Sequence, residues 1–454
     1  HSTGTDELGG TMQRRDLFKL AGKVGLVALA SQVPWSVIER LGLTDDYLAE
    51  AAALPQNYTI SGSVLDDLST GWAKSGGTGT VSYDATQPTW PDAATGGLLF
   101  DQDTNGGVLV ARKTLGAPLD LSRTANIMFR FAEPITSPQR IVFTMWMSGA
   151  LTAGFTYAVN SSSFQVSPDQ NTIVVDRAAF TAIGAGDWTN INILQLQCDS
   201  LGGTQADVRV GAIYKNVYTR PKVVLWFDDG NASDHDNCYP VLSALGLKAT
   251  VAFYSGVLNA ANFLTTAKCD TLYGAGWDFA NHTKSHPNLT TLTAQQVADE
   301  FGVCDTVLKA NGWTRGNEFG VYPQGATNAT VDAEAVKRFR MCRGGRNTFT
   351  NFQQASFGGI DYPMRLVTKA TLDNATTTLA QAQTAVQDAI RLGSQCHVFC
   401  HSVVNGGSTA TWELDTKFTP FVQYLARFRD ANILDVVTAS ELYYGMTNPR
   451  RRRA

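Results

Sequence analysis

The run Val223-Val224-Leu225-Trp226-Phe227 is apolar at every position, and it stops at Asp228-Asp229-Gly230. A short unbroken apolar run of this kind reads as a fully buried strand. Two adjacent carboxylates must therefore stand where that strand ends. Neighbouring side chains of an extended backbone point to opposite sides, so Asp228 and Asp229 cannot do the same job.

About fifty positions on, Asn281-His282-Thr283-Lys284-Ser285-His286-Pro287 sets two imidazoles four residues apart, a spacing that puts both on one side of a turn. One carboxylate and two histidines, with a fourth position open to water, form the ligand set of a catalytic zinc site. The second carboxylate is then free to act as a base. Downstream, Phe319 to Gly325 is a short strand running into a Pro/Gly turn, and Cys396 to His401 is another buried strand ending in a histidine. Of the six histidines, His1 and His235 alone lie outside these two histidine-bearing segments.

Two textures divide the chain. From about Tyr58, short alternating stretches such as Asn126 to Phe131, Arg140 to Trp146 and Asn190 to Leu196 are separated by Gly, Asn, Asp, Ser and Pro clusters. With no sustained helical period among them, residues 57–218 predict an antiparallel β-sandwich. Its Trp72, Trp90, Trp146 and Trp188 invite a sugar-stacking role, which makes a carbohydrate-binding or docking module one reading and ordinary core packing the simpler one. From Pro221 strands alternate with amphipathic helical stretches. Lys222 to Phe227, Ala249 to Phe253 and Trp277 to Ala280 read as strands; Tyr239 to Leu247, Ala261 to Ala275, Ala333 to Arg340 and Asn374 to Leu392 read as helical. Thr293 caps a helix running to Asn311, with Val297, Phe301, Cys304, Val307 and Leu308 on its apolar face. Repeated β-α units with chemistry at the C-terminal strand ends argue for a barrel.

The segments Phe227-Asp228-Asp229-Gly230, His282 to Thr293, Tyr322-Pro323-Gln324-Gly325, the strand closing at His401, and Val437-Thr438-Ala439-Ser440-Glu441-Leu442 together resemble the polysaccharide deacetylase (NodB-homology) family, carbohydrate esterase family four. The resemblance covers roughly 219–446. It implies an irregular (β/α) barrel, a divalent metal (zinc first) on Asp229, His282 and His286, Asp228 as base, and His401 as the acid that protonates the leaving amine. It further implies an oxyanion pocket at the backbone after Pro323, near Tyr322 and Gln324, and an acetylated polysaccharide as substrate. Phe399 is the candidate for lining the acetyl methyl pocket.

The chain also departs from the family pattern. Val321 stands where the third motif often carries an arginine that supports the catalytic Asp. Arg315, Arg343 and Arg365 are the replacements on offer, with Arg365 preferred because it follows Tyr362-Pro363-Met364. The fourth motif is not recognisable; Asp361 is the nearest candidate. His235 and His397 read as structural.

Bulk properties suit a secreted hydrolase. A net charge of −4 offers no basis for binding nucleic acid, and the seven cysteines, an odd number without a C-x-x-C pair, speak against a zinc–thiolate site. One or two disulfides and buried free thiols both remain open. Residues 1–56 form a leader-like or linker segment in which Gln13-Arg14-Arg15-Asp16-Leu17-Phe18 looks like a twin-arginine export signal. Its apolar run, Ala21 to Ala30, is too short for stable membrane insertion. Export to the cell envelope or beyond is one expectation; a virion-associated, non-catalytic binding or structural role, as in a phage tail, is the other. Residues 447–454 form a basic tail.

Overall fold

The computed structural model describes residues 61–89, 95–102, 107–132, 139–160, 171–200, 207–218, 220–346, 366–368 and 370–447. The leader-like segment, Trp90, Asp361, Arg365 and residues 448–454 lie outside the described residues.

Between Ser61–Asp66 and Ile213–Tyr218 the strands pair antiparallel throughout and form two sheets, one of seven strands and one of six. Their facing sides share one core: Phe129 of Asn126–Ala132 meets Phe143 of Gln139–Trp146 with ring centroids 6.2 Å apart. Alternation along each strand puts one set of side chains into this core, as the sequence texture predicts. The described tryptophans serve the fold. Trp72 donates to Asp66 at 3.0 Å, Trp146 to Gln195 at 3.1 Å, and Trp188 stacks on Phe155 with centroids 3.7 Å apart.

The second half is built on a nine-stranded sheet in which every pairing is parallel. From Lys222–Asp228 the sheet runs one way through Thr250–Phe253, Asp278–Asn281, Phe319–Val321, Met341–Arg346 and Leu366–Thr368. On its other side Lys222–Asp228 pairs with Gln395–Cys400, which pairs in turn with Ala370–Thr371. Asp435–Val437 adds to the base of the first strand. The two ends of this path, Thr368 and Ala370, are one residue apart in the chain. Consecutive Cα atoms are about 3.8 Å apart, so the edges lie within roughly 8 Å of each other and the sheet curls back on itself. A barrel-like ring follows from connectivity alone.

Every residue of Lys222–Asp228 is buried, as an uninterrupted apolar run requires. Helices pack outside, and their ends carry readable signals. Ala294–Ala310 opens with a capping box in which Thr293 and Gln296 each satisfy the other's backbone N–H; it buries Val297, Phe301, Cys304 and Leu308. Leu379–Leu392 repeats the device with Thr378 and Gln381, then stops at Gly393, whose left-handed conformation (φ 57°) suits glycine. Other helices are shorter than the sequence implied: Thr266–Gly274 within 261–275, Tyr239–Ala244 within 239–247 and Leu379–Leu392 within 374–392. The stretch read as helical over 333–340 is instead covered by Ala329–Ala335 followed by a turn. All seven cysteines are buried and none is joined in a disulfide, which answers the thiol question in favour of buried thiols. Among the described residues no helix is long and apolar enough to cross a membrane.

Candidate metal centre

Parallel strands deliver their last residues to one rim of the ring, and that rim gathers the motifs. Asp228 is the last residue of its strand and Asp229 turns away at φ 75°, so the two carboxylates diverge. The Asp229 amide still donates to Ala252 O on the next strand at 2.9 Å, which holds the turn in register. His282 and His286 follow Asp278–Asn281, the strand after that.

The His282 to His286 turn is backbone-strained, with Thr283 at φ 74° and His286 at φ 58°. A β-branched residue in that region costs of order 1–3 kcal/mol and needs surrounding structure to enforce it. Three side chains do so. Buried Asn281 accepts from the Thr283 amide at 3.0 Å, and Thr283 Oγ1 accepts from the His286 amide at 3.0 Å. Glu300, one helix away, accepts from the Lys284 and Ser285 amides at 3.0 and 2.9 Å and from Ser285 Oγ at 2.7 Å. Nothing local in the sequence flagged Glu300, because its partners lie in a different element.

His282 Nδ1 lies 2.8 Å from Val321 O. A carbonyl accepts only, so Nδ1 carries the proton and Nε2 presents a bare lone pair. That Nε2 faces Asp229 Oδ1 at 3.6 Å, and His286 Nε2 faces the same oxygen at 3.5 Å. Asp229 Oδ1 is itself buried without a hydrogen-bond partner. Lone pair facing lone pair around an orphaned oxygen is unfavourable unless a cation sits between them. Bonds of about 2.0–2.1 Å at tetrahedral angles place ligand atoms roughly 3.4 Å apart, close to these spacings. The donor set therefore fits a divalent metal. Burial pushes His282 down to about 4 against the pull of Asp228 and Asp229, keeping the ring neutral and able to ligate at neutral pH.

Asp228 is buried (5 % exposed) beside this triad. Burial by itself would raise its carboxyl, but the Arg343 guanidinium and then the His282 and His401 imidazoles outweigh it and hold the acid below its usual range. Arg343 Nη2 lies 2.5 Å from both Asp228 oxygens. The guanidinium carbon sits 5.2 Å from the Trp226 ring centre and 4.6 Å from that of Phe399. Asp228 thus gets its guanidinium from Arg343 and not from Arg365, which the sequence favoured. Register explains the substitution: Arg343 is the cross-strand partner of Val321, the position where the family pattern has its arginine. The charge reaches the same neighbourhood from one strand over. Arg315 is engaged elsewhere, with Asp278 at 3.2 Å.

His401 follows Gln395–Cys400, and its Nε2 lies 3.9 Å from Asp229 Oδ2. Phe399 is buried, its ring 5.5 Å from that of His401 and packed under Arg343. It therefore packs against His401 and Arg343 instead of presenting an open wall. Tyr322 is also corrected as a substrate-facing side chain: it is buried, with its hydroxyl donating to Asp332 at 3.1 Å. Pro323 is buried, and Gln324 takes φ 59° within a tight turn that uses the Gly325 and Ala326 amides for its own hydrogen bonds.

The family model for polysaccharide deacetylases matches residues 215–340. Over that stretch the chain is similar to polysaccharide deacetylases. The matched stretch holds Asp228, Asp229, His282 and His286 and ends before Arg343 and His401. A polysaccharide deacetylase candidate from Bacillus subtilis (strain 168), YxkH, is 32% identical over 79 residues, which is 17% of this chain and 28% of that protein's length. Among solved structures, a family 4 carbohydrate esterase from Streptomyces lividans in complex with acetate is 19% identical, with a TM-score of 0.33 over 49% of this chain and 92% of that one. The peptidoglycan deacetylase PdaC from Bacillus subtilis is 13% identical, with a TM-score of 0.33 over 48% and 88%. Neither of these two likenesses bears on the site.

On Gln395–Cys400, His397 is structural. Its Nδ1 accepts from Trp226 Nε1 at 3.2 Å, so Nε2 carries the proton toward Gln395 at 3.2 Å. Burial, helped by Arg343, lowers it to about 3. His235 is likewise occupied by Asp236, at 2.9 Å. The His397 shift has a testable sign. Between an unfolded value near 6.5 and the folded value, the unfolded chain binds the extra proton, so stability falls as pH drops through this window. The difference in unfolding free energy between wild type and His397→Gln should shrink by about 1.4 kcal/mol per pH unit below 6.5. Denaturant titrations from pH 7 to 4.5 check it; a difference independent of pH would show that His397 is not held neutral. Buried Asp234, raised well above its ordinary value chiefly by burial, contributes with the opposite sign and cancels in this difference.

Proposed function

We propose that the chain is a metal-dependent hydrolase that removes acetyl groups from an acetylated polysaccharide, such as a cell-surface glycan, peptidoglycan or a chitin-like chain. The carrying observation is the bare Nε2 of His282 facing the orphaned Oδ1 of Asp229 at 3.6 Å. Asp228 and His401 flank that pair. Amide hydrolysis needs an activated water, stabilisation of the oxyanion and a proton for the departing amine.

Asp229, His282 and His286 would hold a divalent cation, zinc being the best match to two nitrogens and an oxygen, which would supply Lewis acidity toward the acyl carbonyl and toward water. Asp228, kept anionic by Arg343, accepts the proton of the attacking water. With the neighbouring turn amides already spent, the Gln324 N–H is the backbone donor for the oxyanion. His401 gives its proton to the amine nitrogen as the C–N bond breaks, leaving acetate and a free amino sugar. The same groups would cleave an acetyl ester, whose alkoxide also needs a proton.

Acetate release from chitooligosaccharides, peptidoglycan and acetylated xylan, measured before and after chelation and with metal analysis of the protein, tests the reading. We expect release from at least one of them, loss on chelation and recovery with zinc. Turnover that survives complete metal removal would refute it. Export is part of the same proposal, motivated by the twin-arginine-like segment; N-terminal sequencing of the protein from its native host, finding residues 12–30 retained, would count against it.

A further inference from the structure

We propose that Ser233 and Asn237 are positioning residues for His401, so that the loop bearing Asp229 also sets where the acid stands. This rests on the acid role given to His401 above.

The parallel ladder between Lys222–Asp228 and Gln395–Cys400 ends at the pair Phe227 and Cys400. His401 is the first residue beyond it. Among the described residues, no hydrogen bond reaches the His401 imidazole; its charged neighbour is Asp229 at 3.9 Å. A catalytic histidine is ordinarily oriented by a hydrogen bond to its second ring nitrogen. Without one, ring position is inherited from the backbone on either side. Upstream the ladder holds that backbone. Downstream that backbone is held on one side by Thr411–Trp412, which pairs with Ser402–Val403, and on the other by the loop that follows Asp229.

Ser233 Oγ accepts from the Val403 amide at 3.2 Å, and Asn237 Nδ2 donates to Val403 O at 2.7 Å. Ser233 Oγ also lies 3.1 Å from Ser402 Oγ. Side chains of one loop thus satisfy the amide and the carbonyl of Val403, two residues past the acid, as a neighbouring strand would. The i, i+4 spacing puts Ser233 and Asn237 on one side of their turn. Val403 is fully buried and Ser233 is 7 % exposed, so water is poorly placed to substitute. Asp229 leaves its strand four residues before Ser233. The metal ligand and the clamp on the acid therefore travel on one short loop.

A proton donor matters in proportion to how poor the leaving group is. Amine loss from an N-acetyl sugar needs the proton; phenolate loss from 4-nitrophenyl acetate does not. Ser233→Ala and Asn237→Ala should each lower kcat on N-acetylated chitooligosaccharide about 10- to 100-fold, the cost of roughly 1 Å of misplacement. KM, bound metal and turnover of 4-nitrophenyl acetate should stay within about twofold. Ser233→Thr, which keeps the hydroxyl, should restore most of the amide rate. His401→Ala should show the same leaving-group selectivity, more strongly. Equal losses on both substrates, or no loss on either, in the Ser233 and Asn237 variants would overturn the proposal. If His401→Ala itself loses both substrates equally, the acid assignment fails first, and the two failures are distinguishable.

Discussion

Replacing Asp228 with Asn should lower the amide rate about 10³-fold and also destabilise the fold by about 3–5 kcal/mol. The first effect is loss of the group that takes the water's proton; an amide cannot accept it. The second arises because Arg343, buried with its side chain 3 % exposed, loses the charge it was buried against. An uncompensated buried charge costs more than the pair was worth. Bound metal should persist, since Asp229, His282 and His286 are untouched. Activity assays, metal content and denaturant unfolding on one preparation separate these effects. The double variant Asp228→Asn/Arg343→Met should regain much of the stability and none of the activity. Asp228→Asn at full rate would remove Asp228 from the mechanism, and a double variant as unstable as the sum of its parts would remove the coupling.

Arg343→Met should destabilise by a similar amount at neutral pH and move the acidic limb of the rate profile upward. In the intact protein the guanidinium overcomes the burial that would otherwise raise Asp228. Remove it, and burial prevails: the carboxyl keeps its proton to higher pH and the base is lost there. The stability effect has a definite sign. A carboxylate held below its unfolded value near 3.8 contributes stability above that value and loses it as pH falls through the lower folded one. In Arg343→Met that contribution is gone, and the protonated acid is tolerated in an apolar site. The deficit relative to wild type should therefore narrow as pH falls toward 4. Arg343→Lys should rescue only in part, because an ammonium cannot lie flat between Trp226 and Phe399 as the guanidinium does. An unshifted acidic limb in the Met variant would mean that Arg343 merely packs.

These expectations differ in how readily they are read from the chain. Asp228, Asp229, His282 and His286 were legible because each pair lies within a few residues, where strand alternation and turn spacing decide which way side chains point. The helix over 294–310 was legible for the same reason: Thr293, Gln296 and the apolar face repeat within one element. Arg343 was only one name among three, since its tie to Asp228 spans 115 positions and depends on strand register. Glu300, Ser233 and Asn237 left no local signal at all. Tyr322 misled because a motif residue is easily taken to face the site, when its backbone is what the turn uses and its ring is core.

The amino-acid sequence by itself determined the repertoire: a buried strand tipped with two acids, a histidine turn, an alternating β half and a β-α half, all set by short-range periodicity. Only the tertiary structure decided the partnerships. The edges of the parallel sheet meet because residues 368 and 370 belong to opposite ends of it. His282 bares Nε2 because Val321 O claims its other nitrogen, and Asp228 stays ionised because a guanidinium arrives from Met341–Arg346, four strands along the sheet. Each of these depends on which strand lies beside which, and register is a property of packing, where a shift of one residue reverses every side chain.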